Sequence, residues 1–223
     1  CAGRVASGAC SPLRGVEGED VAQLRAICEP YVFLTYTWFA ANRGSARGHN
    51  MLGLGSEADF LCMTNPYIVV SPRTLDYLLE PFRRTAVGMT EGKQLPLEHP
   101  KYFDPVTGET SWASSACSML PTPVFQALGG YDADSFFLYC DDVDLAWRLR
   151  QLGLRIVHQP AASIFHDKRV DLHLATEPAY AEQYYSAEAA LILAHKWSRP
   201  ELVDAILDDF DLHGQEVHLE AAR

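Results

Sequence analysis

Three aspartates, Asp141, Asp142 and Asp144, stand together in the stretch FFLYCDDVDLAWRLRQLGLRIVHQPAASIFH, which runs from Phe136 and closes on His166. A helix that starts at this cluster accounts for part of it. The free N–H groups and the positive dipole end of a first turn favour negative charge, but three carboxylates exceed what a cap requires. From Asp142, the residues Leu145, Leu149 and Leu152 follow at helical spacing, so Asp142 is expected to point along the packed face. Asp144 is followed four positions on by Arg148, the arrangement of a solvated ion pair. Gly153 is expected to stop the helix, and RIVHQP and ASIFHD read as strands on either side of Pro160. A carboxylate so placed can serve as a general base. The plain alternative is an amphipathic helix with an acidic first turn, packed on a sheet.

Further candidates lie in the elements that must position this helix. NRGSARGHN, residues 42–50, is a Gly-rich basic turn leading into a helix; Gly44 and Gly48 allow close backbone approach, and Arg43 and Arg47 supply charge. Anion binding and an ordinary loop both fit it. DFLCMTN reads as a strand ending at Asn65-Pro66-Tyr67, IVVSP continues extended, and TLDYLLEPF reads as a helix with Ser71 as cap and Pro72 at its first position. SWASSACSML reads as a strand of small residues, in which Trp112 is either an aromatic platform for a sugar ring or a core residue. PTPVFQALGG is a short helix closed by Gly129 and Gly130. Beyond His166, Lys168 and Arg169 form a basic pair suited to a leaving phosphate group.

With 223 residues and 48% hydrophobic content the chain can bury a substantial core. A formal charge of −11 argues against a nucleic-acid partner. Six cysteines without a CxxC pair read as reduced thiols, in keeping with a cytoplasmic location. No apolar run reaches the length of a membrane span, and no signal-peptide pattern opens the chain. Residues 1–19 read as a loop or linker, Asp20 as the cap of a first helix, and YVFLTYTWF as a buried strand. EPAYAEQYYSAEAALILAHKW and RPELVDAILDDF read as two amphipathic C-terminal helices, able to cover the sheet, meet an acceptor, touch a membrane or pair with another subunit.

GGYDADSFFLYCDDVDLAWRLRQLGLRIVHQPAASIFH resembles the second half of a family 2 glycosyltransferase of the rhamnosyltransferase-like kind, with its Gly-Gly-(Phe/Tyr)-Asp, Phe-Phe, (Glu/Asp)-Asp-Val-Asp-Leu, Arg-Leu, Gly, Pro and closing His. Asn42, Gly44, Gly48 and Asn50 follow that family's NxGxxxGxN turn, and Asn65-Pro66 its Asn-Pro-Asp strand end. The resemblance implies an α/β fold of the GT-A nucleotide-diphospho-sugar transferase type, with a central mostly parallel mixed sheet flanked by helices. It covers about residues 20–200, leaving 1–19 as linker, 20–174 as the transferase domain and 175–223 as a helical appendage. The family's nucleoside-binding first strands find no match in residues 1–19.

The resemblance also implies roles. Asp142 corresponds to the base of an inverting transferase, and Asp141 would position acceptor hydroxyls. Asn42, Gly44, Arg47, Asn50, Asn65, Lys168 and Arg169 would meet a nucleotide-diphospho-sugar donor, and Trp112 a saccharide or lipid-linked saccharide acceptor. His166 would stand by the donor diphosphate or its Mg²⁺ or Mn²⁺. Tyr67 occupies the place of the family's acidic metal ligand, which counts against that metal. Work at the inner face of a membrane, by peripheral contact or as a homo-oligomer, is compatible with this. Two other readings stay open: a transferase-like domain without catalysis that binds a saccharide or protein partner, and a metal-dependent hydrolase built on the aspartates and His166.

Overall fold

The structure is a computed structural model that describes residues 19–31, 37–84, 86–166 and 180–222. After helix α1 (Glu19–Cys28), α2 (Gly44–Gly53) leads into strands β1 (Phe60–Thr64) and β2 (Ile68–Val70), then α3 (Thr74–Leu79), a 3₁₀ turn and β3 (Val87–Leu95). An excursion carrying the short β4 (Glu109–Thr110) returns to β5 (Cys117–Pro121) and α4 (Thr122–Ala127). Then come α5 (Asp141–Gln151), β6 (Arg155–His166) and the helices α6 (Tyr180–Lys196), α7 (Pro200–His213) and α8 (Glu216–Ala221). The linker expected at 1–19 and the strand expected at 31–39 fall wholly or mostly outside the described residues, as do Lys168 and Arg169.

The strands form one sheet in the order β1-β5-β3-β6-β2, with β4 also on β6. It is mixed, as expected, but among the described residues only the β3–β6 ladder is parallel; the other four pairings run antiparallel. Parallel neighbours need a long crossover, and the stretch from Leu95 to Arg155, carrying α4 and α5, supplies one for β3 and β6. The two strands expected around Pro160 are a single strand. Its register against β3 jumps between Gly92↔Gln159 and Lys93↔Ser163, so the proline, which has no N–H to donate, sits in a bulge. Gly92 is required there, because a Cβ on it would lie 2.6 Å from the Ala162 carbonyl oxygen.

Apolar side chains fill both faces of the sheet. On one, Met89, Leu120 and Ile156 pack with Phe125 of α4, Ala46 of α2, and Leu145 and Leu149 of α5. On the other, Met119, Ala162 and Ile164 pack with Leu78 of α3. Each fully buried Leu or Phe stabilises the fold by about 1.5–3 kcal/mol. Leu152, the last residue of the expected stripe, is 62% exposed because the helix ends before it and Gly153 turns the chain at φ +76. α3 starts at Thr74 rather than Pro72, and the Ser71 hydroxyl bonds the Thr74 hydroxyl at 2.8 Å instead of capping the helix. Of the expected strand 111–120, only the part from Cys117 is strand; Ser114, Ser115 and Ala116 turn their amides to side-chain acceptors on neighbouring elements or within the segment.

Candidate active site

The site gathers at the N-terminus of α5. The two residues before it, Tyr139 and Cys140, both adopt positive φ, +68 and +54, and no side chain caps the helix. Left-handed backbone at two bulky residues in succession is strained and persists only where its surroundings impose it. α2 imposes it. The Asn50 carboxamide brackets Tyr131, donating to its carbonyl and accepting from its N–H, each at 2.8 Å. The Ser45 N–H donates to the Phe137 carbonyl at 2.9 Å. Gly44, at φ +73, lies so close that a Cβ would stand 2.2 Å from that same oxygen. Asn42 accepts from the Gly44 N–H at 3.0 Å, and Arg47 pairs with Asp134 at 2.8 Å on the surface. Three residues expected at the donor, Gly44, Arg47 and Asn50, thus hold the 131–137 loop against α2, and Asn42 fastens the start of that helix.

That loop delivers the aspartates. Asp142 Oδ2 accepts from the Ser115 N–H at 3.0 Å and Oδ1 from the Val143 N–H at 2.8 Å, and the residue is half-buried. Burial and then the neighbouring Asp141 push its carboxyl up, well above the aspartate range. Asp141 is only 3% exposed; burial raises it too, against the pull of the nearby Ser45 hydroxyl. Its Oδ2 is buried without a hydrogen-bond partner among the described residues. Two adjacent carboxyls raised together cannot both ionise freely, so the pair holds a proton close to neutral pH.

Asp144 departs from expectation. Its partner is Arg148, at 2.8 Å, but the pair is not solvated: Asp144 is 0% exposed, because α6 folds back over it. Lys196 Nζ lies 2.7 Å from Asp144 Oδ1, the Trp197 indole N–H donates to the same oxygen at 3.0 Å, and Trp147 meets Trp197 edge to face. Asp144 is therefore the buried fastening between α5 and the C-terminal helices.

His166 ends β6. Nδ1 lies 2.8 Å from the Gln94 carboxamide oxygen, which places the proton there, and Nε2 lies 3.2 Å from the Asn65 carboxamide nitrogen. Tyr67 stacks on the imidazole at 5.4 Å between centroids. The Asn65 N–H bonds the Ala116 carbonyl at 3.1 Å, so Asn65 links His166 to the 114–116 segment whose Ser115 N–H meets Asp142. One imidazole with a carboxamide and a phenol is a poor match for Mg²⁺ or Mn²⁺, and no group of three or more His, Cys, Asp or Glu able to hold a metal occurs among the described residues.

Trp112 packs against the core while remaining partly accessible; Lys101 Nζ sits 3.9 Å from its ring centroid and His99 lies tilted at 5.3 Å. Beneath it the structure places a charged cluster that sequence reading missed, Glu91, Lys101 and His158, all but buried. No local signal could have found it, since EGK and HPK read as surface. Two clefts of about 550 and 420 Å³ flank the 131–137 loop, sharing Arg47, Ala133 and Asp134 in their walls. Neither is lined by Asp142, Trp112 or His166.

Solved structures share this architecture. A mannosyltransferase from Pyrobaculum calidifontis, in complex with GDP-Man and Mn²⁺, superposes with a TM-score of 0.61 at 15% identity over 93% of this chain and 62% of its own. GalNAc-T7 with UDP, GalNAc and Mn²⁺ gives 0.62 at 9%, over 95% and 52%. TarS from S. aureus, residues 1–349 with UDP-GlcNAc, gives 0.56 at 11%, over 93% and 68%. The fold is that of the GT-A glycosyltransferases, as the resemblance implied. In sequence, the chain is 34% identical over 66 residues to the N-acetylglucosaminyl-diphospho-decaprenol L-rhamnosyltransferase of Mycobacterium tuberculosis, strains CDC 1551 and H37Rv. That match takes in 30% of this chain and spans only 21% of those relatives' length, and it agrees with the rhamnosyltransferase-like resemblance. No protein-family model matches the chain.

Proposed function

We propose that the chain is the catalytic part of an inverting glycosyltransferase in cell-surface polysaccharide synthesis. It moves rhamnose or a related hexose from a nucleotide-diphospho-sugar to a hydroxyl of a saccharide or lipid-linked saccharide. The observation that carries this reading is Asp142, a half-buried carboxylate held by two backbone N–H groups at a strained helix start, with its proton affinity raised toward neutral pH. As the acceptor oxygen attacks the anomeric carbon from the face opposite the diphosphate, its proton passes to Asp142. The bond to the diphosphate oxygen breaks, and its electron pair leaves with the nucleotide. Asp141, with an unengaged buried oxygen, orients an acceptor hydroxyl, and Trp112 offers part of its indole to a sugar ring. Lys168 and Arg169 are assigned to the departing diphosphate from their place in the sequence. No step is routed through a metal, because the described donors around His166 do not suit one.

The partial match to a decaprenol-linked rhamnosyltransferase supports the sugar and the lipid-linked acceptor, and with them a place at the inner face of a membrane. Among the described residues no helix is long and apolar enough to cross one. A second reading, binding without catalysis, is favoured by Tyr67 covering His166 and by Asn42, Arg47 and Asn50 being engaged with protein groups. Incubating the full-length protein with a panel of nucleotide sugars and lipid-linked acceptors separates the two. Release of nucleoside diphosphate with a glycosylated product is expected; binding without turnover on every donor establishes the second reading.

A further inference from the structure

The buried Glu91–Lys101–His158 cluster lies outside the proposed chemistry yet directly behind it. Glu91, 1% exposed on β3, receives three donors: Lys101 Nζ at 2.6 Å, the Ser114 N–H at 2.7 Å and His158 Nδ1 at 3.0 Å. Lys101 comes from the excursion between β3 and β5 and folds back until its side chain is 5% exposed. Its ammonium donates to the Trp112 carbonyl at 3.1 Å and rests on the Trp112 ring. Residues 112–116 are thus gripped at Trp112 and Ser114 by one ion pair. Between that grip and the Ala116 carbonyl, which holds Asn65, stands Ser115, whose N–H meets Asp142.

We propose that Lys101 is a positioning residue for the transfer: locked between Glu91 and Trp112, it fixes the segment that brings the Ser115 amide to Asp142 and the indole to the acceptor. The proposal rests on Asp142 being the base. The titratable groups that face Asp142 are Asp141 and Cys140 at its own helix end, Tyr131 from the preceding loop, and Lys101 from the excursion; Glu91 and His158 stand behind Lys101. Asp141 disfavours ionisation of Asp142, and the ammonium of Lys101 favours it. A buried ammonium beside a buried carboxylate could serve the fold alone. That role would leave the titration of Asp142 where it is.

The test uses the full-length protein carrying Lys101→Met together with Glu91→Gln, which removes both buried charges at once and leaves no orphan ion, with Lys101→Met alone as companion. Two readouts are taken: the carboxyl ¹³C titration of Asp142, assigned by its loss in Asp142→Asn, and the pH profile of kcat/KM for transfer. The expected result is that Lys101→Met alone raises the titration midpoint and the acid limb by about half to one pH unit, so that activity at pH 6 falls about three- to tenfold and the loss at pH 9 is smaller, while the double variant, which removes two opposite charges together, shifts both less. A folded Lys101→Met variant whose Asp142 titrates at the parental midpoint overturns the proposal, and so does a folded double variant that transfers sugar with parental kcat and KM. A shifted midpoint in a protein that turns over no donor places the failure in the transferase reading and leaves the coupling of Lys101 to Asp142 standing.

Discussion

Asparagine at position 142 has the shape of a protonated aspartate, so Asp142→Asn distinguishes a carboxylate held ready for proton transfer from one that merely caps α5. In the folded chain, burial and then Asp141 push the Asp142 carboxyl from an ordinary 3.8 up to about 7. A raised folded value means that the folded state binds this proton more tightly than the unfolded state. The stability so gained is complete below about pH 4 and is lost as pH climbs through about 7. At about 1.4 kcal/mol per pH unit the ceiling is about 4 kcal/mol, and sharing the effect with Asp141 leaves about 2 kcal/mol to Asp142. The variant has no charge to bury, and gives up one acceptor for the Ser115 N–H, a loss of about 1 kcal/mol at every pH. In urea unfolding at pH 5 and pH 8.5, a window that holds about two-thirds of this effect, the variant should therefore gain about 1 kcal/mol relative to the parent between the two, about 2–4 °C in Tm. A helix cap behaves in the opposite way, since its charged form stabilises the first turn and its removal hurts more at high pH. A variant that loses more stability at pH 8.5 than at pH 5 refutes the reasoning.

Asp144→Asn should lower stability by about 1–3 kcal/mol, because Arg148 and Lys196 would lose a buried counter-charge, although Lys196 keeps Asp132; an unchanged thermal midpoint would contradict the fastening role. Gly44→Ala should cost several kcal/mol, read by chemical denaturation, since the new Cβ meets the Phe137 carbonyl and the backbone is left-handed there. Asn50→Ala removes both arms of the bracket on Tyr131 and should cost about 2 kcal/mol, with nucleotide binding by calorimetry unchanged if its role is to hold the loop.

The helix α5, its acidic start and its stop at Gly153 were legible because capping chemistry and 3.6-residue spacing are local. The fate of Asp144 was not. The i+4 spacing to Arg148 fixes the pair but not what covers it, and the cover comes from Lys196 and Trp197, about fifty residues on. In the NRGSARGHN turn the pattern was visible and its packing was not: small and amide residues suit close backbone approach, and Gly44 and Asn50 make one to the 131–137 loop. Glu91 and Lys101 left no trace in the sequence, because a buried ion pair is recognised only when its two halves are seen together. Pro160 was read as a boundary between strands, and the sheet accommodates it as a bulge.

The most direct test follows single-turnover sugar transfer by the full-length protein and its Asp142→Asn variant on the best donor and acceptor pair. Loss of the proton acceptor should slow the chemical step by about a hundredfold or more, while donor affinity stays within about twofold. Transfer by the variant at the parental rate would contradict the assignment of Asp142 as base.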